Sequence, residues 1–418
     1  MKSFLLINIP GQSNRGGMAV LIGMLEILRR QFGTDNIGVL CHHFDDDKMI
    51  LDEILEKYDT TLIEHPWYKA RKNRLITLML CAIPAVLILL QSILIRYKII
   101  NKSKSIFGLY DVIIDCNVDG YSEYYQGWFA PFFILFNDFC ATLTNKCVMI
   151  MGASIPFYKN RILRHIAKVT LNKMALITLR DEESKKHLVT MEVLKPHIEV
   201  TADLAFVMQP NMSKNIEEIF AKLDISNGIL IGLNVTRANP TLASSSIYLS
   251  FMASMVDWAI DKLNCHVIMI PSVYDPAYLN DIDKIISKVK NTGRLILIHN
   301  KVLLADEIKA VIGKCDMFIG SMFHPCIAAV STGVPTIPIA TYGSYKFYGI
   351  LGNVLKIEDY IVDFNGSDYA QLDVKLKATI INAWENRATL RHHLLDQAEK
   401  LKLKGYLNGT LLKEVIIC

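Results

Sequence analysis

Four short stretches hold the residue types from which an anion-binding, proton-transferring site could be built. The first is Ile319-Gly320-Ser321-Met322-Phe323-His324, followed by PCIAAVSTGVP. The pattern predicts a strand ending at Gly320, a helix starting near His324 and a stop at Gly333 before the next strand. An imidazole can give or take a proton near neutral pH, and a helix N-terminus favours a bound anion. His324 would combine both, with Ser321 beside it. Lys346, after the next apolar run, could bring a cation to the same place. The second stretch is Leu179-Arg180-Asp181-Glu182-Glu183-Ser184. Asp181 suits a helix N-cap with Ser184 in the first turn. Arg180 would then be either an anion-binding guanidinium or a surface Arg beside a cap. In the third, Thr201-Ala202-Asp203-Leu204-Ala205-Phe206, Asp203 could act as a base, hold an Arg or end a strand. The fourth is the turn Gly11-Gln12-Ser13-Asn14-Arg15-Gly16-Gly17, where Asn14, Arg15 and the Gly16 backbone could cradle an anion or merely join a strand to a helix. His42-His43 with Asp45-Asp46-Asp47 reads as a polar loop, and no metal site is expected.

These stretches stand at the ends of apolar, β-rich runs. FLLINI (4–9), NIGVLCH (36–42), YDVIIDCNV (110–118), CVMIMGAS (147–154) and MALITLRD (174–181) form one series. ILIGLNV (229–235), CHVIMIPS (265–272), LILIHN (295–300), CDMFIGS (315–321) and TIPIAT (336–341) form a second. Amphipathic stretches separate the runs, so the expected class is α/β, with two tandem Rossmann-like, doubly wound lobes and a cleft between them. The expected boundaries are 1–209, with an apolar insertion at about 75–95, then 210–369, then a long amphipathic C-terminal helix over 370–418. Ligands of such sheets bind beyond the carboxyl ends of the strands, where the four stretches lie.

The chain has 418 residues, 51% hydrophobic and 21% charged, with a net charge of +4. This excludes intrinsic disorder. A pI of about 8.4 is too mild to indicate a nucleic-acid partner. Nine cysteines without a C-x-x-C pair read as free thiols of a reducing, cytoplasmic interior. The N-terminus reads as a first strand, not a signal peptide. Leu75–Ile95, LITLMLCAIPAVLILLQSILI, is long enough to span a bilayer. It has Lys69, Arg71, Lys72 and Arg74 before it and Arg96, Lys98, Lys102 and Lys104 after it. Basic residues on both flanks argue against a simple span. The reading favoured over a buried helix is a Pro84-broken hairpin dipping into the inner leaflet, with anionic lipid as partner.

In order and spacing the chain resembles the polysaccharide pyruvyl transferase family. The resemblance rests on Asn14-Arg15-Gly16-Gly17, Asn117-Val118-Asp119-Gly120-Tyr121-Ser122, Arg180-Asp181 with Ser184, Asp203 with Ala205-Phe206, Gly320 to His324 with Gly333-Val334-Pro335, and Lys346. It implies a two-lobed GT-B-like fold. It also implies transfer of a pyruvyl group from phosphoenolpyruvate, as a ketal, to a sugar of a cell-surface polysaccharide or its lipid-linked precursor. Phosphoenolpyruvate is then a substrate, and no cofactor is implied. His324 would be the acid, and Asp203 would orient a cation or deprotonate the acceptor. Arg180, Lys346, Asn14, Arg15, Gly16, Ser184 and Ser321 would bind the donor, and Asp119 and Tyr121 the acceptor. Met322 stands where the family commonly has Arg, and Gly17 where many members carry an acid. Two other readings stay open: a GT-B glycosyltransferase using a nucleotide sugar, for which Asp306 and Glu307 are the available acids, and a catalytically silent sugar-binding scaffold.

Overall fold

A computed structural model describes residues 2–417 other than 34–35, 42–43, 66–73, 124–126, 222–227, 237–244, 299–301, 341–345 and 365–367. Inside helices, the side chains of 44–47, 49, 74–82 and 245 are likewise outside the description. The chain divides into two compact units. The first comprises Met1–Ser13, Val20–Val207 and Leu401–Cys418; the second comprises Asn14–Ala19 and Met208–Lys400. The turn after the first strand is thus counted with the second unit, and the end of the long tail with the first.

The first unit is built on a seven-stranded parallel sheet. Its strands are β1 (Phe4–Ile7), β2 (Ile37–Cys41), β3 (Thr60–Glu64), β4 (Val112–Asp115), β5 (Val148–Ala153), β6 (Leu176–Leu179) and β7 (His197–Val200). They lie in the order β3-β2-β1-β4-β5-β6-β7. The direction of winding reverses between β1 and β4, where Leu5 pairs with Ile113 and Ile7 with Asp115. FLLI and VIID are buried along their whole length, as expected of central strands covered on both faces. The helices are α1 (Arg15–Phe32), α2 (Phe44–Lys57), α3 (Arg74–Arg96), α4 (Phe129–Thr144), α5 (Arg161–Leu171) and α6 (Glu182–Thr190). Asp45 to Asp47 therefore lie in the first turn of α2, not in a loop, and His42 and His43 fall outside the described residues.

Helix α3 corrects the expected hairpin. It is one continuous helix with Pro84 inside it. A mid-helix Pro removes one hydrogen bond and crowds the preceding turn. Here the helix propagates through it, with apolar residues on both sides of the break and α4 packed alongside. Among the described residues no helix is long and apolar enough to cross a membrane.

The second unit holds a six-stranded parallel sheet of β8 (Ile229–Asn234), β9 (Cys265–Met269), β10 (Leu295–Leu297), β11 (Met317–Gly320), β12 (Thr336–Ala340) and β13 (Val362–Asp363). Its order is β10-β9-β8-β11-β12-β13, with the reversal between β8 and β11, where Ile319 pairs with Leu233. The helices are α7 (Lys214–Ala221), α8 (Ser245–Leu263), α9 (Pro276–Ile286), α10 (Ala305–Gly313), α11 (Phe323–Ser331), α12 (Tyr369–Glu385) and α13 (Arg387–Ile417). The tail is two helices rather than one, broken at Asn386. Helix α11 ends where expected: Gly333 adopts a φ of 73°, the left-handed C′ conformation that glycine reaches without steric cost. Two parallel α/β sheets in tandem are the architecture expected from the alternating strand and helix patterns.

Candidate functional site

The second unit gathers His324, Asn14, Arg15, Gly16, Ser321 and Lys346. His324 sits in the first turn of α11, one residue after the start, just beyond the carboxyl end of β11. The Gly-rich turn reaches it directly. A Cβ added to Gly16 would lie 2.8 Å from Cγ of His324 and closer still to Nδ1, so only glycine admits the ring there. The turn is fixed from three sides. The Gly16 amide donates to Oδ1 of Asn14 at 2.9 Å, the Arg15 amide donates to the Ser272 carbonyl at 2.9 Å, and Asn14 bridges to Val273. Lys346, itself buried, holds its ammonium 5.4 Å above the ring of Phe323, the residue next to His324. An imidazole, a cation and the N-terminus of a helix thus lie in one unit.

Arg15 and Ser321 take internal partners. Arg15 is 2% exposed; its guanidinium donates from Nε to the Leu303 carbonyl at 2.6 Å and stacks 4.4 Å from the centre of the Tyr274 ring. Its contribution is to hold the turn in place. Ser321 Oγ accepts from the Thr236 amide, which fixes the loop after β8 against the loop after β11. Met322 accepts a hydrogen bond from Ser272 Oγ at 3.0 Å. Its thioether fills the position with a neutral group; Arg237, whose guanidinium could stand in for the Arg common in the family, lies outside the described residues. Glu307 accepts from the Leu304 amide at 2.9 Å and from Ser213 Oγ, so it caps α10.

The first unit holds Arg180, Asp203, Asp119, Ser184 and Tyr121. Asp181 caps α6 as expected, accepting from the Ser184 amide at 2.7 Å. Arg180 is not a surface residue. Its guanidinium is fully buried and forms ion pairs with Asp203, at 2.6 Å, and with Asp119. Nε donates to Ser154 Oγ at 2.7 Å. Two carboxylates already balance this cation, which corrects the expectation of a guanidinium open to an anion. Asp203 has no exposed side-chain surface, and its other oxygen accepts from the Ala205 amide. Of the three options for this residue, the structure selects holding an Arg; it is not positioned to deprotonate an acceptor. Ser184 Oγ accepts from the Ile155 amide at 2.9 Å and is likewise internal. Asp119 alone of the triad keeps exposed surface, 23% of its side chain.

Tyr121 is corrected too: it is completely buried. Its hydroxyl lies 3.0 Å from Asp115 and 2.7 Å from Asp138, so it faces a buried acid pair, not an acceptor. Asn8, which follows β1, donates from Nδ2 to both carboxyls, and the Asn117 amide donates to Asp115 at 2.6 Å. Burial pushes Asp115 up to about 6. Asp138 is likewise pushed well above the usual carboxylate range, by burial and by the neighbouring Asp115 charge. The pair as a unit therefore holds a proton more firmly than exposed carboxylates do. This pair belongs to none of the four stretches read from the sequence. Its signal was present in FFILFNDFC, where Asn137 and Asp138 interrupt an apolar helix, and in VIIDCNV, where Asp115 closes a strand at the sheet's reversal point. Among the described residues no cluster of His, Cys, Asp or Glu could hold a metal ion.

The model of one family, polysaccharide pyruvyl transferase, matches residues 14–342. The chain belongs to the polysaccharide pyruvyl transferase family. The match begins at Asn14 and takes in Asp119, Arg180, Asp203, Ser321 and His324, with Lys346 four residues beyond its end. Membership makes the protein a polysaccharide-modifying transferase. Comparison with curated proteins gave no match. Among solved structures, HepE from Anabaena, in complex with UDP and glucose, is 11% identical with a TM-score of 0.59, covering 99% of both chains. The UDP-GlcNAc 2-epimerase of Neisseria meningitidis bound to UDP-GlcNAc is 12% identical with a TM-score of 0.58, covering 100% of both. The UDP-GlcNAc 2-epimerase of Methanocaldococcus jannaschii is 11% identical with a TM-score of 0.59, covering 91% of this chain and 92% of that one. At these identities the likeness establishes the GT-B-type fold of this family member.

Proposed function

We propose that the protein transfers a pyruvyl group from phosphoenolpyruvate to two hydroxyls of a sugar in a cell-surface polysaccharide or its lipid-linked precursor, working in the cytoplasm at the inner face of the membrane. The observation that carries this reading is His324, seated against the Gly16 turn at the start of α11 with the Lys346 ammonium over the adjoining ring. In the proposed reaction the imidazolium gives its proton to the methylene carbon of the donor. Carbon 2 becomes oxocarbenium-like, and one sugar hydroxyl adds to it. The second hydroxyl then displaces phosphate and closes the ketal. One hydroxyl proton restores the imidazolium and the other leaves with phosphate. Lys346 and the α11 N-terminus favour the anionic donor. Asp119, the exposed edge of the Arg180 cluster, is the candidate acceptor contact. The test is to incubate the protein with phosphoenolpyruvate and a sugar acceptor and follow phosphate release. Release that requires acceptor and is lost in His324→Ala supports the reading; no release with any acceptor-bearing extract refutes it.

A second reading is favoured by one observation. Met322 puts a thioether where a donor-binding Arg is common, and two of the structural neighbours named above were solved with UDP and glucose or with UDP-GlcNAc. A nucleotide-sugar transferase would show thermal stabilisation by UDP-sugars and none by phosphoenolpyruvate.

A further inference from the structure

Over its described side chains, residues 83–96, helix α3 has one face packed and one face exposed. Ile88 and Leu89 pack against the core of the first unit, and Ser92 and Ile95 are buried. On the opposite side Ile83, Leu87, Leu90 and Leu94 are 71%, 60%, 52% and 36% exposed. At 100° per residue these four fall within a narrow arc, so they form a continuous apolar stripe about 16 Å long. Aliphatic side chains in a row at such exposure mark an interaction surface rather than ordinary surface scatter.

Charge identifies the partner. From residue 65 to residue 110 the sequence has eight Lys and Arg and no Asp or Glu. The whole chain is only +4, so the rest is net negative and the positive charge is concentrated in this stretch of the sequence. Arg96 closes the helix, and Lys98, Lys102 and Lys104 follow it, all exposed. Gln91 donates from Nε2 to the Lys104 carbonyl at 2.6 Å, which folds the basic segment back alongside α3. An apolar stripe bordered by cations and free of acids complements an anionic interface. Basic residues stand on both sides of the apolar segment in the sequence, and the other face of the described helix is packed against protein, which suits a helix lying in the interface plane and not one crossing it.

We propose that the Ile83–Leu94 face of α3 is a docking surface for an anionic lipid bilayer, lying in the interface plane with the stripe at acyl depth and Arg96, Lys98, Lys102 and Lys104 on headgroups. The inference deepens the inner-face location given above and does not depend on the donor. Vesicle binding is measured without substrate, so loss of turnover and loss of docking are separate results.

The experiment is co-sedimentation of the full chain with vesicles of phosphatidylcholine alone, or of phosphatidylcholine with an equal part of phosphatidylglycerol, together with light scattering of the free protein. The expected result is binding to the anionic vesicles only, reduced at least tenfold by Leu87→Asp with Leu90→Asp, by Lys98→Glu with Lys102→Glu, and by salt of about 0.5 M, where charges are screened within a few Å. Leu90→Gln, milder at an exposed site, keeps the comparison open if the double Asp variant fails to fold. Absence of binding to anionic vesicles, equal binding by the variants, or equal binding to neutral vesicles would overturn the proposal. So would a dimer that Leu87→Asp splits and that ignores vesicles, which would assign the stripe to a second copy.

Discussion

Replacing Gly16 by Ala tests whether the His324 ring must sit where the Gly-rich turn puts it. The added methyl would lie 2.8 Å from Cγ of the ring and nearer to Nδ1, whereas ordinary contact begins at 3.4 Å. The imidazole must therefore retreat by about 0.6 Å at Cγ, and by more at Nδ1. Misplacing a reacting group by about 1 Å can cost on the order of 100-fold in rate, or about 2.7 kcal/mol. Helix propensity acts in the opposite direction: Gly16 is in the first turn of α1, where Ala is favoured over Gly by up to about 1 kcal/mol. Gly16→Ala should thus leave the melting temperature within a few degrees of wild type while kcat for phosphate release falls about 100-fold. The kcat and KM values carry separate information. A fall in kcat at constant KM fits an imidazole that acts in the transition state, whereas a rise in KM at constant kcat fits one that only binds the donor. Full activity in Gly16→Ala would refute the claim that this ring position matters.

Other perturbations bear on the same clusters. His324→Ala should lower phosphate release by about 100-fold or more with an unchanged far-ultraviolet circular dichroism spectrum; retained turnover would remove His324 from the reaction. Arg180→Met should cost about 3–5 kcal/mol in a denaturant titration, because it leaves the buried Asp203 carboxylate unbalanced, and adding Asp203→Leu should recover much of that loss. Raised carboxyl pKa values in the fold mean that the native state holds protons the unfolded chain has released. The contribution of Asp115 and Asp138 is therefore fully present below about pH 4 and is lost as pH rises, for Asp115 up to its folded value of about 6. Stability measured from pH 4 to pH 7 should fall less steeply in Asp138→Asn than in wild type, by up to about 1.4 kcal/mol per pH unit; parallel curves would show that the pair does not share its burial cost in this way.

Much of the fold was readable because its signals are local. FLLI, VII and MFIG are unbroken apolar runs, Asp181 caps its own helix three residues on, and Gly333 stops α11. The same locality explains the omissions. The edge strands β3, TTLIE, and β7, HIEV, are only partly buried and show no apolar run, and β13 is two residues long. Pro84 read as a break because proline is judged by its own backbone cost, while the packing of α3 on α4 comes from residues about fifty positions away. At the site, the place of His324 followed from strand and helix spacing. That Arg180 would be bracketed by Asp119 and Asp203 depends on three strand ends converging, which no local pattern records. The same holds for Tyr121, whose neighbours Asp115 and Asp138 are brought to it by β4 and α4.

Helix α13 sets a condition on how the protein can be made. Asn408 is wholly buried, and its Oδ1 accepts hydrogen bonds from the hydroxyls of Thr178 and Thr201. Tyr406 lies under Arg30, and Gly409 abuts Ile27. The first unit's sheet thus waits to be covered by a segment that lies 207 positions after Thr201 and 230 after Thr178 at Asn408. The nascent amino-terminal half should stay protease-sensitive until that segment arrives, and a fragment stopping near residue 207 should need Leu401–Cys418 supplied as a separate peptide to become compact.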